Sequence, residues 1–173
     1  PIKKLIDRGF DFPINLKDAE VQSQERFSKD SYGMIPTLKE YWNFIAYQSE
    51  KVGLVNEALL VGSSNQIALK HHPKDYPEFS VQNIASNGNI WTGYDNSFYP
   101  LFKEGEYLGE NPLSNVIRID FGKFNYYTGG DIAGIDGFGQ TDIDALESHV
   151  APVVGPVDVA TLNHHGNRNS QNP

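Results

Sequence analysis

Two short stretches carry the residue types that do metal chemistry. Thr128-Gly129-Gly130-Asp131 places a carboxylate after a β-prone run, and Asn163-His164-His165-Gly166 places two imidazoles after the apolar run Val157 to Leu162. Carboxylate oxygen and imidazole nitrogen are both good ligands for a borderline cation such as zinc. A shared ion requires Asp131 and one of the histidines to reach a common rim. The same residues also have ordinary uses, since Asp after Gly-Gly caps turns and a His pair in a loop is often just solvated.

The elements that must position them can be read from hydrophobic period and turn chemistry. Val116 to Phe121 alternates, with Ile117, Ile119 and Phe121 on one face and Arg118 and Asp120 on the other. Gly122-Lys123 turns the chain into Phe124 to Thr128, which makes a hairpin. A helix is expected from about Asp142, with Ile143, Leu146 and Val150 on its inner face and Pro152 ending or kinking it. Val157 to Leu162 is a near-continuous apolar run of the buried-strand type. Strands joined through one helix run parallel by a right-handed crossover. Their C-terminal ends then share a sheet edge, where ligands of α/β folds collect. Asp131 and His164 fall at that edge.

Upstream, Leu5-Ile6-Asp7-Arg8-Gly9 resembles the tail of a strand, and the chain to Ile35 reads as an irregular connection. Thr37 to Gly53 carries a helix signature: a Thr37/Glu40 capping box, Pro36 at the entry, and Gly53 as C-terminal cap. Leu38, Tyr41, Trp42, Ile45, Ser49 and Val52 share one face at helical spacing. Ala58 to Val61 and Ile67 to Leu69 read as a hairpin around Gly62-Ser63-Ser64-Asn65. Val81 to Ala85 and Ile90 to Thr92 flank Asn87-Gly88, whose residues accept the positive φ of a type I′ turn. Tyr94 to Gly109 is an aromatic, Gly-containing loop. Hairpins followed by a strand–helix–strand unit imply an α/β layered fold with a mixed sheet.

Composition bounds the function. The chain has 173 residues, 39% hydrophobic and 21% charged, which suits one globular domain over 1–173. A net charge of −8 argues against strong nucleic-acid binding, which is driven by clustered Lys and Arg. It leaves a phosphodiester substrate open, because a bound cation reverses the field locally. With no cysteine and five histidines, metal ligands must come from His, Asp and Glu. No apolar run approaches the ~18 residues that span a bilayer, so no membrane partner is expected and the reading leans to a soluble, cytoplasmic protein. The chain opens on Pro1 and stops at Asn172-Pro173, and both ends read as cuts through a longer domain.

Other candidates are weaker. The stretch Gly129 to Gly139 fails as a calcium loop, because Ala133 and Ile135 stand where acids belong. It also fails as a dinucleotide fingerprint, because Asp142 follows where a third glycine should stand. His71-His72 reads as a surface pair and His149 as an exposed helix residue. Trp91, Tyr94, Phe98, Tyr99 and Phe102 read as a covering loop over the core, and otherwise as a contact surface for a glycan or peptide.

Asn111-Pro-Leu-Ser114-Asn-Val-Ile-Arg-Ile-Asp-Phe-Gly, then Tyr127-Thr-Gly-Gly-Asp131, then Val157-Asp-Val-Ala-Thr-Leu-Asn-His164-His165-Gly166 with Ser170, resembles the C-terminal half of a metallo-β-lactamase-fold hydrolase. The branch that includes the competence-protein hydrolase domain is the most similar. The resemblance implies a four-layer αββα sandwich, incomplete in this chain, with one or two metal ions, usually zinc, between the sheets. In that pattern Asp131 bridges two metals, the first histidine of the pair (His164) ligates the second, and His165 sits near metal or substrate; either histidine fits the ligand role. A metal-bound hydroxide would attack an ester or phosphodiester.

The family's His-x-His-x-Asp-His motif is absent from this sequence. The expectation is that it lies upstream of Pro1, the alternative being that it was lost. In the first case the parent protein is a metal-dependent hydrolase acting on a small-molecule or phosphodiester substrate, and this chain alone is inactive. In the second it is a non-catalytic binding module on the same fold.

Overall fold

The computed structural model describes residues 2–9, 34–103, 109–134 and 145–166. The chain divides into two compact units, Pro1–Ala58 and Leu59–Pro173.

The first unit is a parallel strand pair with a helix. Strand β1 (Lys4–Asp7) pairs in parallel with β2 (Val55–Ala58), and helix α1 (Met34–Val52) precedes β2. Helix α1 buries Leu38, Trp42 and Ile45, the centre of the expected face, while Ser49 is exposed. It begins at Met34, not at a Thr37 cap, because proline in a first turn gives up an N–H that has no intrahelical acceptor. Its end is as expected: Gly53 has φ +67, its N–H reaches Ser49 O at 3.1 Å, and the Leu54 N–H reaches Gln48 O at 3.3 Å. At the end of β1, Asp7 accepts hydrogen bonds from Tyr41 Oη (2.6 Å), Asn56 Nδ2 (3.1 Å) and the Gly9 N–H (2.8 Å). Burial, and then the Asp7 carboxylate beside it, push the Tyr41 hydroxyl well above the usual range.

The second unit holds a six-stranded mixed sheet in the order β5-β4-β3-β6-β7-β8. Its strands are β3 (Phe79–Ser86), β4 (Asn89–Trp91), β5 (Phe98–Pro100), β6 (Val116–Phe121), β7 (Phe124–Thr128) and β8 (Val159–Ala160). Helix α2 (Leu146–Val154) packs on β3 and β4 and encloses Ile84, Ile90, Val116, Ile132, Leu146 and Val150. The Asn87-Gly88 turn forms with φ of 50° and 75°, as its sequence requires, and the Gly122-Lys123 hairpin forms with Ile119 facing Tyr126.

Several expectations are corrected. The Gly62–Asn65 hairpin is absent: the pairing partner of Val55–Ala58 is the distant β1, and Ile67–Leu69 is irregular. The following loop instead docks on β3, the Gly62 N–H on Asn83 O at 2.9 Å and the Asn83 N–H on Ser63 O at 3.0 Å. The aromatic loop contains a strand, β5, because Trp91 and Phe98 pair across the β4–β5 ladder. The run Val157–Leu162 forms only the short strand β8, and it lies at a sheet edge with Val159 and Leu162 exposed, so it is not the buried type. Of the two effects expected of Pro152, ending the helix is not seen: it lies inside α2, which runs on to Val154. Expected features at Ile135 to Ile143 and at Ser170 lie outside the described residues.

Candidate metal corner at the end of β7 and β8

Strands β7 and β8 run parallel, with Tyr126 opposite Val159 and Tyr127 opposite Ala160, and α2 lies between them in sequence. Both C-terminal ends therefore open on the same sheet edge. From β7 the chain passes through Gly129 and Gly130 to Asp131. From β8 it passes through Asn163 into a tight turn at His164–Gly166. The His164 N–H donates to Gly130 O at 3.1 Å and joins the two segments.

The side chains that meet are Asp131 and His165: Oδ2 and Nε2 are 3.2 Å apart. His164, the residue the family pattern nominates first, faces elsewhere. Its Nε2 is 3.2 Å from Asn111 Nδ2, and its ring centroid is 6.5 Å from that of His165. The reason is backbone geometry. His164 (φ 48) and His165 (φ 57) are both left-handed, so the turn sends successive side chains in different directions. Two consecutive left-handed residues that are not glycine cost on the order of 1–3 kcal/mol each.

His164 has a second unusual property: its Nδ1 is buried and makes no hydrogen bond to any described residue. If the Asn111 amide nitrogen donates, Nε2 accepts and the ring proton sits on that buried Nδ1, at a cost of about 1–3 kcal/mol. With the Asn111 amide turned over, Nε2 donates and Nδ1 is a bare acceptor.

Sequence reasoning named Asp131 and the His pair but missed what surrounds them. Ser114 Oγ accepts the Asp131 N–H at 3.2 Å. Beneath the pair, Asn163, Tyr127 and Glu147 form a buried polar group, with exposures of 2%, 8% and 7%. Burial pushes the Tyr127 hydroxyl up to about 12, and nearby Glu147 adds to the rise while the Asn163 hydrogen bond opposes it. A signal for Glu147 was present: it shares the apolar face of α2 with Val150 and Val154, where a charge needs a buried partner.

The resemblance implies zinc, and the Asp131–His165 distance is compatible with a shared ion without distinguishing it from a direct contact. Two ligands about 2.1 Å from a tetrahedral zinc stand about 3.4 Å apart, so the 3.2 Å between Asp131 and His165 suits two ligands of one ion. It equally suits a direct hydrogen bond. A catalytic zinc needs three protein ligands, and among the described residues no three His, Asp or Glu side chains come together. The described residues by themselves therefore do not fit a catalytic zinc site. His72 is exposed, 3.7 Å from Asp75 Oδ2, and His149 is half-buried on α2, not exposed as expected.

The aromatic segment divides in two. Trp91 and Phe102 pack against the core, whereas Tyr94, Phe98 and Tyr99 are exposed. No described helix is long and apolar enough to cross a membrane. No family model, curated protein or solved structure matches the chain.

Proposed function

We propose that the chain is part of a metal-dependent hydrolase of the metallo-β-lactamase type, to which Asp131 and His165 contribute two ligands of one zinc ion. The observation that carries this reading is the 3.2 Å approach of Asp131 Oδ2 and His165 Nε2 at the shared end of two parallel strands. The strained His164–His165 turn supports it, since such strain persists where function requires it. Among the described residues each unit holds a sheet and a helix, and the four-layer αββα arrangement is part of this proposal. On this reading His164 is held by Asn111 and lines the site, and the remaining ligands come from residues other than these three. The substrate class is an ester, with a phosphodiester favoured by the branch resemblance.

Zinc titration of the full-length protein tests the reading. Stoichiometric zinc that Asp131→Ala releases is the expected result. Absence of bound zinc, or zinc indifferent to Asp131→Ala and His165→Ala, would sink it.

A second reading is favoured by the exposed aromatics: a non-catalytic module that binds a glycan or peptide through Tyr94, Phe98 and Tyr99. Stacking on exposed rings is the relevant interaction. Glycan binding that Tyr94→Ala abolishes, in a protein that takes up no zinc, would establish this reading over the first.

A further inference from the structure

We propose that Asn163 is the positioning residue of the Asp131–His165 pair, its amide tying the loop that carries the carboxylate to the turn that carries the imidazole. The proposal rests on reading that pair as the site. Asn163 Oδ1 accepts the Gly129 N–H at 3.1 Å, and its Nδ2 donates to Tyr127 Oη at 3.1 Å and to Glu147 Oε1 at 2.5 Å. One buried side chain thus joins the end of β7, the start of the Asp131 loop and the first turn of α2. It sits directly before the two histidines in sequence. The role requires one acceptor and two donors on a planar head, which an amide supplies. Aspartate offers no donor and would set a second carboxylate against Glu147.

Gly129 gives an independent sign that the chain is built around this amide. A Cβ there would lie 2.4 Å from Tyr127 Oη, 2.6 Å from Asn163 Oδ1 and 3.0 Å from Ile132 Cδ1. Gly129 does not have the positive φ that marks Gly130, so close approach of Asn163 and Tyr127, not backbone conformation, is what demands glycine. The Asp131–His165 contact cannot itself hold the loops. Its side chains are 37% and 83% exposed, and a polar contact so open to water contributes little. The order must come from below, and the His164 N–H to Gly130 O bond carries it from the residue after Asn163 to the residue before Asp131.

The test separates positioning from bulk stability. The His165 Cε1–H resonance of the full-length protein is followed with and without Asp131→Asn, in three backgrounds: unaltered, Asn163→Asp and Gly129→Ala. Asn83→Ala is the control, removing a fully buried amide of the same unit that donates to Leu60 O and Gln66 Oε1. The His165 signal is expected to respond to Asp131→Asn in the unaltered and Asn83→Ala proteins, and to lose that response in the other two. Zinc affinity should fall roughly 10- to 100-fold in Asn163→Asp, as for other groups that orient metal ligands. A response that persists in Asn163→Asp and Gly129→Ala, or that Asn83→Ala removes equally, overturns the proposal. If either variant fails to fold, the other decides. A protein that binds no zinc yet loses the response in Asn163→Asp overturns the metal reading and keeps the positioning role. Zinc affinity unchanged in Asn163→Asp does the reverse.

Discussion

His165, not His164, faces Asp131: Nε2 and Oδ2 are 3.2 Å apart, while the Nε2 of His164 lies 3.2 Å from Asn111 Nδ2. The assignment separates two residues adjacent in sequence and identical in type. If the pair holds zinc, His165→Ala should lower zinc affinity at least ten-fold more than His164→Ala. Calorimetric titration of both variants checks this, and equal losses would count against the assignment.

The left-handed turn predicts a trade between stability and function. His165 holds φ 57 and ψ 21 with its side chain largely exposed, so glycine there relieves backbone strain at little cost in packing. His165→Gly should raise unfolding free energy by about 0.5–1 kcal/mol while removing the Asp131 contact. Urea denaturation measures the first effect, and a clear loss of stability would show that the turn is not strained.

Tyr127 predicts a pH dependence. Its hydroxyl is pushed up to about 12 in the fold from the ordinary 10.0, so the folded state holds this proton more tightly than the unfolded chain. The resulting stability is present below pH 10 and lost as the pH rises towards 12. A rise of that size corresponds to about 2–3 kcal/mol. Between pH 10 and 12 the native protein should lose about that much more stability than Tyr127→Phe; parallel losses in the two proteins would remove the basis for this.

The β3–β4 turn gives a purely structural prediction. Gly88 has φ +75, and a Cβ there would lie 2.6 Å from Phe102 Cδ2. Gly88→Ala meets both the left-handed penalty and the ring, and should cost about 2 kcal/mol or more. Thermal unfolding checks it. Gly53→Ala, with φ +67 and no atom within 4 Å of its Cβ, should cost only the backbone part.

Much of the fold was legible locally. Asn87-Gly88 and Gly122-Lys123 specify their turns through backbone stereochemistry, and the alternation of Val116 to Phe121 specifies a half-buried strand. The centre of α1 follows from Leu38, Trp42 and Ile45 at helical spacing. What failed locally failed for a reason outside the segment. Val55–Ala58 is a strand because β1 pairs with it, and Gly62 looked like a hairpin turn because its real partner, Asn83, is remote. Phe98–Pro100 extends the sheet through the Trp91 pairing, which its loop-like composition concealed.

The candidate site divides the same way. The sequence by itself determined that a carboxylate and two imidazoles follow two strands joined through a helix, since hydrophobic period and crossover rules place strand ends without knowledge of side-chain contacts. Tertiary structure decided which imidazole meets Asp131, because two consecutive left-handed residues set directions that no spacing rule encodes. It also decided that Asn163 bridges Gly129, Tyr127 and Glu147, a set that comes together only when β7, β8 and α2 are packed. Backbone preferences act over a few residues and are written in the local sequence, whereas the partners of a buried amide are selected by the fold.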